Sequence, residues 1–194
     1  MDPPISALLL VTNVFEALQI RYVLVGSFAS SLHGLYRSTA DFDILADITS
    51  EHVEPLHTAL HKVFYLDDIA MRRAIARGGS FNAIHLESVF KVDVFVASSD
   101  EFAREQLNRR QLRRLSADQS DEVYIATAED TILAKLRWYR LGNESSNNQW
   151  NDVLGILGIL GNELDKDYLG TWSERLGISD LLQRALDEVK SQEA

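Results

Sequence analysis

Apolar positions recur at spacings of three and four in Leu8, Val11, Phe15 and Leu18, behind Pro3 and Pro4, and predict a first helix. Tyr22-Val23-Leu24-Val25 is a short β-rich run that stops at Gly26-Ser27, after which Phe28 to Leu32 could begin a second helix. Asp41-Phe42-Asp43-Ile44-Leu45 alternates polar and apolar residues before turning wholly apolar, the pattern of a strand with one wet end. Thr49 to Phe64 reads as helical. Gly78-Gly79 is a turn signal, and the strand-like runs Ser80 to Leu86 and Lys91 to Val96 that follow it have the spacing of a hairpin.

The texture changes after Asp121. One more strand-like run, Glu122 to Ala126, leads into a capping-box pattern at Thr127 and Asp130. A helix then runs through about Arg140 with Ile132, Leu133, Leu136 and Tyr139 on one face. Residues 142–149 are polar and read as a loop, and further helices are expected over Trp150 to Leu160, Lys166 to Arg175 and Ser179 to Lys190. The expected architecture is α/β (α+β): a mixed sheet of four or five strands in residues 1–120, with a helical carboxy-terminal region, 121–194, packed on it.

Composition narrows the classes. A chain of 194 residues, 46% apolar, is long enough for one domain or a core domain with a small appendage. Without Cys it has no disulfides, cysteine nucleophile, thiolate zinc site or iron–sulfur cluster, which suits a cytoplasmic setting. The early apolar run, Ile5 to Val11, is far short of the ~20 residues of a spanning helix and has no basic residue before it, so neither export nor a membrane is expected. The net charge of −10 is unevenly spread: residues 1–61 carry −5, residues 62–114 carry +3 and residues 115–194 carry −8.

The chemistry concentrates in a few positions. Side chains alternate along a strand, so Asp41 and Asp43 project from one face. Two anions that close repel unless a cation or strong donors lie between them. In the later run Lys91, Asp93 and Phe95 share a face, so pairing of the two strands would bring Asp93 to the same edge as a third carboxylate. Three such oxygen donors suit Mg²⁺ or Mn²⁺. Gly26-Ser27, between a strand and a helix, offers free backbone N–H groups and a positive helix end to an anion such as a triphosphate. No Walker P-loop pattern occurs.

Together Val25-Gly26-Ser27-Phe28-Ala29, His33-Gly34, Arg37-Ser38-Thr39, Asp41-Phe42-Asp43-Ile44 and Lys91-Val92-Asp93-Val94-Phe95 resemble the polymerase-β-like nucleotidyltransferase superfamily. Glu129-Asp130 to Lys135-Leu136, followed by Asp152-Val153, is similar to its bacterial AbiEii-like branch, which includes toxins of toxin–antitoxin pairs. The resemblance implies transfer of a nucleoside monophosphate from a nucleoside triphosphate to an acceptor, RNA such as tRNA or a protein, with release of pyrophosphate. It implies that Asp41 and Asp43 bind metal, that Asp93 binds metal or acts as base, and that Gly26 and Ser27 hold the phosphates. An antitoxin protein is the implied partner. A catalytically silent nucleotide-binding regulator and an adenylyltransferase acting on an antibiotic stand as alternatives.

Other positions carry two readings each. Lys135 either snorkels at the edge of its apolar stripe or contacts the triphosphate, and Asp152 either pairs with Lys135, faces solvent or serves the reaction. Arg37 is a phosphate ligand or a prop for the loop before Asp41. His57 and His61, four apart on a helix, lack a clear third metal ligand and read as exposed. Gly155, Gly158 and Gly161 read as close helix packing. Arg104, Arg109, Arg110, Arg113 and Arg114 read as a solvated helix face or a docking patch for a polyanion, which Arg72, Arg73 and Arg77 would extend.

Overall fold

The computed structural model describes residues 3–34, 39, 41–97, 100–115 and 121–193. They form two compact units, Met1–Val25 with Thr39–Ala126, and Gly26–Ser38 with Thr127–Ala194.

The first unit is built on a seven-stranded mixed sheet. Its strands are β1 (Tyr22–Val25), β2 (Asp41–Ala46), β3 (Phe64–Tyr65), β4 (Ser80–His85), β5 (Lys91–Val96), β6 (Gln111–Arg114) and β7 (Glu122–Ile125), in the order β3-β4-β5-β2-β1-β7-β6. Pairs β2–β5 and β1–β7 are parallel and the others antiparallel. The expectation of four or five strands is corrected by β3 and β6. The first has only two residues, and the second is fully exposed and carries two arginines, so neither shows an apolar alternation. The expected helix from Thr49 to Phe64 is a 3₁₀ turn, Ser50–His52, followed by α3 (Val53–Leu60) and then β3.

One face of the sheet is apolar across its central strands. Tyr22, Leu24, Phe42, Ile44, Ala46, Val92, Val94, Phe81 and Ala83 are all buried there. Helix α1 (Pro3–Ala17) reaches it with Phe15, whose ring meets Tyr22 edge-on at 5.9 Å. Helix α4 (Asp68–Arg77) packs on β4 and β5; Asp67 caps its first turn by accepting from the N–H groups of Ile69 and Ala70. The opposite face is split along its length. At one end Val23 and Leu45 pack against Ala103 and Leu107 of α5 (Glu101–Arg109), with Val25 and Phe95 beside them. At the other end the same face carries Asp41, Asp43, Lys91 and Asp93.

The second unit is helical: α2 (Gly26–His33), α6 (Ala128–Leu141), α7 (Asn147–Leu160), α8 (Lys166–Leu176) and α9 (Ser179–Glu193). Thr127 caps α6 by accepting from the N–H of Asp130, as its spacing predicts. Helix α7 starts three residues before Trp150, because the Ser146 side chain accepts from Gln149 N–H and so opens the helix inside the expected loop. Helix α2 lies against α6 and α7. A Cβ on Gly34 would lie 3.0 Å from Ile156 Cγ1 and 3.2 Å from the carbonyl carbon of Gly155, so the chain leaving α2 approaches α7 at a distance only glycine permits. The expected packing role of Gly155 is met here, whereas Gly158 faces open space. Among the described residues, no helix is long and apolar enough to cross a membrane.

Candidate functional site

In the first unit the parallel register of β2 and β5 sets Asp41 opposite Lys91 and Asp43 opposite Asp93. Directly paired residues of a parallel ladder share a face, so three carboxylates and one ammonium occupy four adjoining positions. The Lys91 Nζ donates to Asp93 Oδ2 at 2.6 Å and lies 3.5 Å from Asp41 Oδ2. Its hydrogen bond to Asp93 raises the Lys91 pKa above the usual lysine value, helped by the charges of Asp93 and Asp41 and opposed by partial burial. Thr39 Oγ1 donates to the backbone oxygen of Asp41 at 2.9 Å, tying down the entry to β2. On the far side of β5, Asn82 of β4 is the register partner of Asp93, a polar neighbour that lay unnoticed inside an apolar run.

The donor set fits a hard divalent cation. Asp93 Oδ1 is buried and has no hydrogen-bond partner, although Oδ2 of the same carboxylate is held by Lys91. A buried, unsatisfied carboxylate oxygen is costly, and an oxygen-seeking ion would supply what the chain does not. Among the described residues no three His, Cys, Asp or Glu side chains already converge as a ready-made cage. At this face the ammonium of Lys91 takes up the space between Asp41 and Asp93.

The second unit holds the other candidates. Helix α2 opens at Gly26 with φ +67°, a left-handed conformation that glycine adopts without strain. Gly26 is bonded to Val25, the β1 residue opposite Asp43 in the sheet register. Ser27 is the next residue of α2; its backbone oxygen accepts from the Ser30 and Ser31 hydroxyls at 3.0 Å. Lys135 of α6 and Asp152 of α7 form an ion pair of 2.6 Å, with side-chain exposures of only 5% and 8%. Ser30 Oγ lies 3.2 Å from Asp152 Oδ2, so α2, α6 and α7 meet at one polar node. The snorkelling alternative for Lys135 is therefore excluded, and of the readings for Asp152 the pairing is found. Sequence reasoning passed over Ser30 because its nearest signal, a serine one turn into a helix, is ordinary. It also passed over the full burial of Asp130, whose Oδ1 accepts from Tyr168 Oη at 2.6 Å.

One expectation changes. Arg104 to Arg114 is not one helix: α5 stops at Arg109, and Arg113 and Arg114 sit on edge strand β6. Arg110 stacks over the Tyr124 ring at 4.3 Å and Arg114 pairs with Glu122 at 3.4 Å, so part of the basic patch is engaged within its own unit. His57 and His61 stack with ring centroids 5.5 Å apart, and His61 Nδ1 points to the backbone oxygens of His57 and Thr58. Arg37 lies outside the described residues.

No protein-family model matches the chain, and no curated protein sequence matches it. Solved structures do. The chain is similar to ANT(2")-Ia in complex with adenylyl-2"-tobramycin, with a TM-score of 0.57 and 8% identity over 89% of this chain and 95% of that one. It is similar to an antigenic nucleotidyltransferase-like protein from Paracoccidioides brasiliensis, with a TM-score of 0.57 and 15% identity over 96% and 93% of the two chains. It is also similar to the lincosamide antibiotic adenylyltransferase LnuA, lincomycin-bound, with a TM-score of 0.52 and 14% identity over 82% and 98%. At such identities the likeness is one of fold: the chain has the nucleotidyltransferase fold that its strand, Gly-Ser and Asp-x-Asp order leads one to expect.

Proposed function

We propose that the chain is a metal-dependent nucleotidyltransferase that moves a nucleoside monophosphate from a nucleoside triphosphate to an acceptor, RNA or protein, and releases pyrophosphate. The observation that supports this most directly is the register of Asp43 against Asp93, with Asp41 two positions earlier on the same face. In this reading Asp41, Asp43 and Asp93 hold Mg²⁺ or Mn²⁺, which when bound offsets negative charge on the α-phosphate and the departing pyrophosphate.

The reaction joins an acceptor oxygen to the α-phosphorus and breaks the α–β phosphoanhydride bond. The acceptor's proton has to leave as its oxygen attacks, and Asp93, if it is not spent as a ligand, is the base that takes it. Backbone N–H groups at Gly26 and Ser27 bind phosphate oxygens at the amino end of α2, where the helix dipole favours negative charge. The sequence resemblance assigns Arg37 to the phosphates as well. Lys135 is assigned to the triphosphate by the same resemblance, with Asp152 as its partner. That lysine–aspartate pair also supports placement in the AbiEii-like, toxin-type branch, with an antitoxin as partner.

A small cationic acceptor is the second reading. It is favoured by the net charge of −8 over residues 115–194 and by two fold neighbours that act on, or were captured with, antibiotics. The test is incubation with each α-labelled nucleoside triphosphate and Mg²⁺ or Mn²⁺, offering total RNA, lysate protein, or an aminoglycoside and a lincosamide in turn. Label on one acceptor class with one nucleotide, lost on chelation, is the expected result. Nucleotide binding by calorimetry with no label on any acceptor would overturn the transferase and leave a silent regulator.

A further inference from the structure

Three carboxylates on one sheet face repel one another, and among the described residues Lys91 sets a cation of the chain's own against two of them. Lys91 Nζ bridges Asp93 Oδ2 at 2.6 Å and Asp41 Oδ2 at 3.5 Å, from the register position directly opposite Asp41. We propose that Lys91 is the built-in counter-ion of the carboxylate face, seated between Asp41 and Asp93 in the metal-free protein and giving up its hold on Asp93 when a divalent cation enters. The inference rests on the metal-binding reading above and adds to it a competition between one residue of the chain and the ion.

Two observations support a yielding rather than a permanent bridge. Lys91 satisfies only half of Asp93: Oδ2 is bonded, while Oδ1 stays buried without a partner. Buried carboxylate oxygens are as a rule hydrogen-bonded, so the open Oδ1 leaves Asp93 a coordination position that Lys91 does not fill. The Lys91 side chain is also 36% exposed, on a flexible four-carbon stem, so its ammonium can turn to water without a large desolvation cost. The Lys135–Asp152 pair, at 5% and 8% exposure, has no such exit, so the two lysines are suited to opposite tasks.

The test is Lys91→Met, which keeps the length of the side chain and removes its charge. Mn²⁺ binding is followed by the free-ion electron paramagnetic resonance signal and by calorimetry without nucleotide, and thermal unfolding is followed with and without the ion. Counter-ion displacement predicts that Lys91→Met binds Mn²⁺ about tenfold or more tightly than the wild type. It also predicts a lower metal-free midpoint than wild type and a larger upward shift on adding Mn²⁺. Arg113→Met removes one positive charge from β6, three strand spacings or roughly 14 Å from β2 and beyond the ~8 Å screening length of physiological salt, so its Mn²⁺ affinity should match wild type. Unchanged or weaker Mn²⁺ binding in Lys91→Met, with wild type binding normally, would overturn the inference and make Lys91 a support for Asp93. Absence of Mn²⁺ binding in both proteins would instead overturn the metal reading itself, and with it the displacement.

Discussion

Asp43 on β2 and Asp93 on β5 are direct partners in a parallel strand pair, although fifty residues separate them in the chain. Each sits where its strand leaves the cover of α5, since Leu45 and Phe95, two positions further on, are packed with that helix. The site is therefore the half of this face that lies beyond α5; the other half is core. If Asp43 is a metal ligand, Asp43→Asn should lower nucleotidyl transfer by about 10²-fold or more. Its thermal midpoint without metal should stay near that of wild type, because one of three mutually repelling charges is gone. Full transfer activity in Asp43→Asn, measured by label incorporation, would count against the assignment.

The Lys135–Asp152 pair makes a stability prediction separable from any role in the reaction. Removing one partner leaves a buried charge uncompensated, so Lys135→Met or Asp152→Asn should each cost about 3–5 kcal/mol in urea unfolding. The double variant Lys135→Met/Asp152→Leu should recover a large part of that loss, because two apolar groups of similar size need no partners. A double-mutant cycle that shows simple additivity would contradict a coupled pair.

Glycines of the second unit should split by surroundings. Gly34→Ala would press a methyl group against Ile156 Cγ1 at 3.0 Å and the Ile156 backbone nitrogen at 3.1 Å, and should destabilise by about 1–3 kcal/mol. Gly158 lies inside α7 with nothing within 4 Å of an added Cβ, so Gly158→Ala should stabilise by about 0.5–1 kcal/mol through helix propensity. Denaturant midpoints that move in the same direction for both would refute the contrast.

Tyr22 sets an alkaline limit. Burial, with the Glu16 carboxylate that its hydroxyl donates to at 3.0 Å, raises its pKa well above the ordinary value of 10.0. A group whose pKa is raised in the folded state contributes stability that is complete below its unfolded pKa and is lost as pH climbs toward the folded one. Tyr22→Phe should thus be less stable than wild type at pH 7 by about 1 kcal/mol, and the gap should close above about pH 10. Urea unfolding from pH 7 to 11 measures this, and a gap that stays constant through pH 11 would exclude the linkage.

Much of the fold was legible in the sequence because it is written in local periodicity. β1 and β5 match the runs Tyr22 to Val25 and Lys91 to Val96 residue for residue: β5 alternates buried and half-buried positions, and β1 is a wholly apolar run that stops at Gly26. The common face of Asp41 and Asp43 follows from the same period of two. The nucleotidyltransferase fold came from the order of a few such motifs along the chain. Two strands escaped because neither carries a pattern: β3 is too short, and β6 is a fully exposed edge strand that owes its conformation to its partner β7.

What the chain could not state locally is which distant residue answers each charge. The register that sets Asp43 beside Asp93 arises from strands meeting across the sheet, and a slip of one residue would have turned Asp93 to the opposite face. The same holds for Lys91 between Asp41 and Asp93, and for Lys135 and Asp152 with Ser30 of α2, which clusters with the carboxy-terminal helices and not with the strand that precedes it. Residue type and spacing determined which chemistry this protein can carry. Only long-range packing decided which charges it pairs and which carboxylate oxygen it leaves without a partner, because electrostatic neighbours are set by distance in space and sequence records distance along the chain.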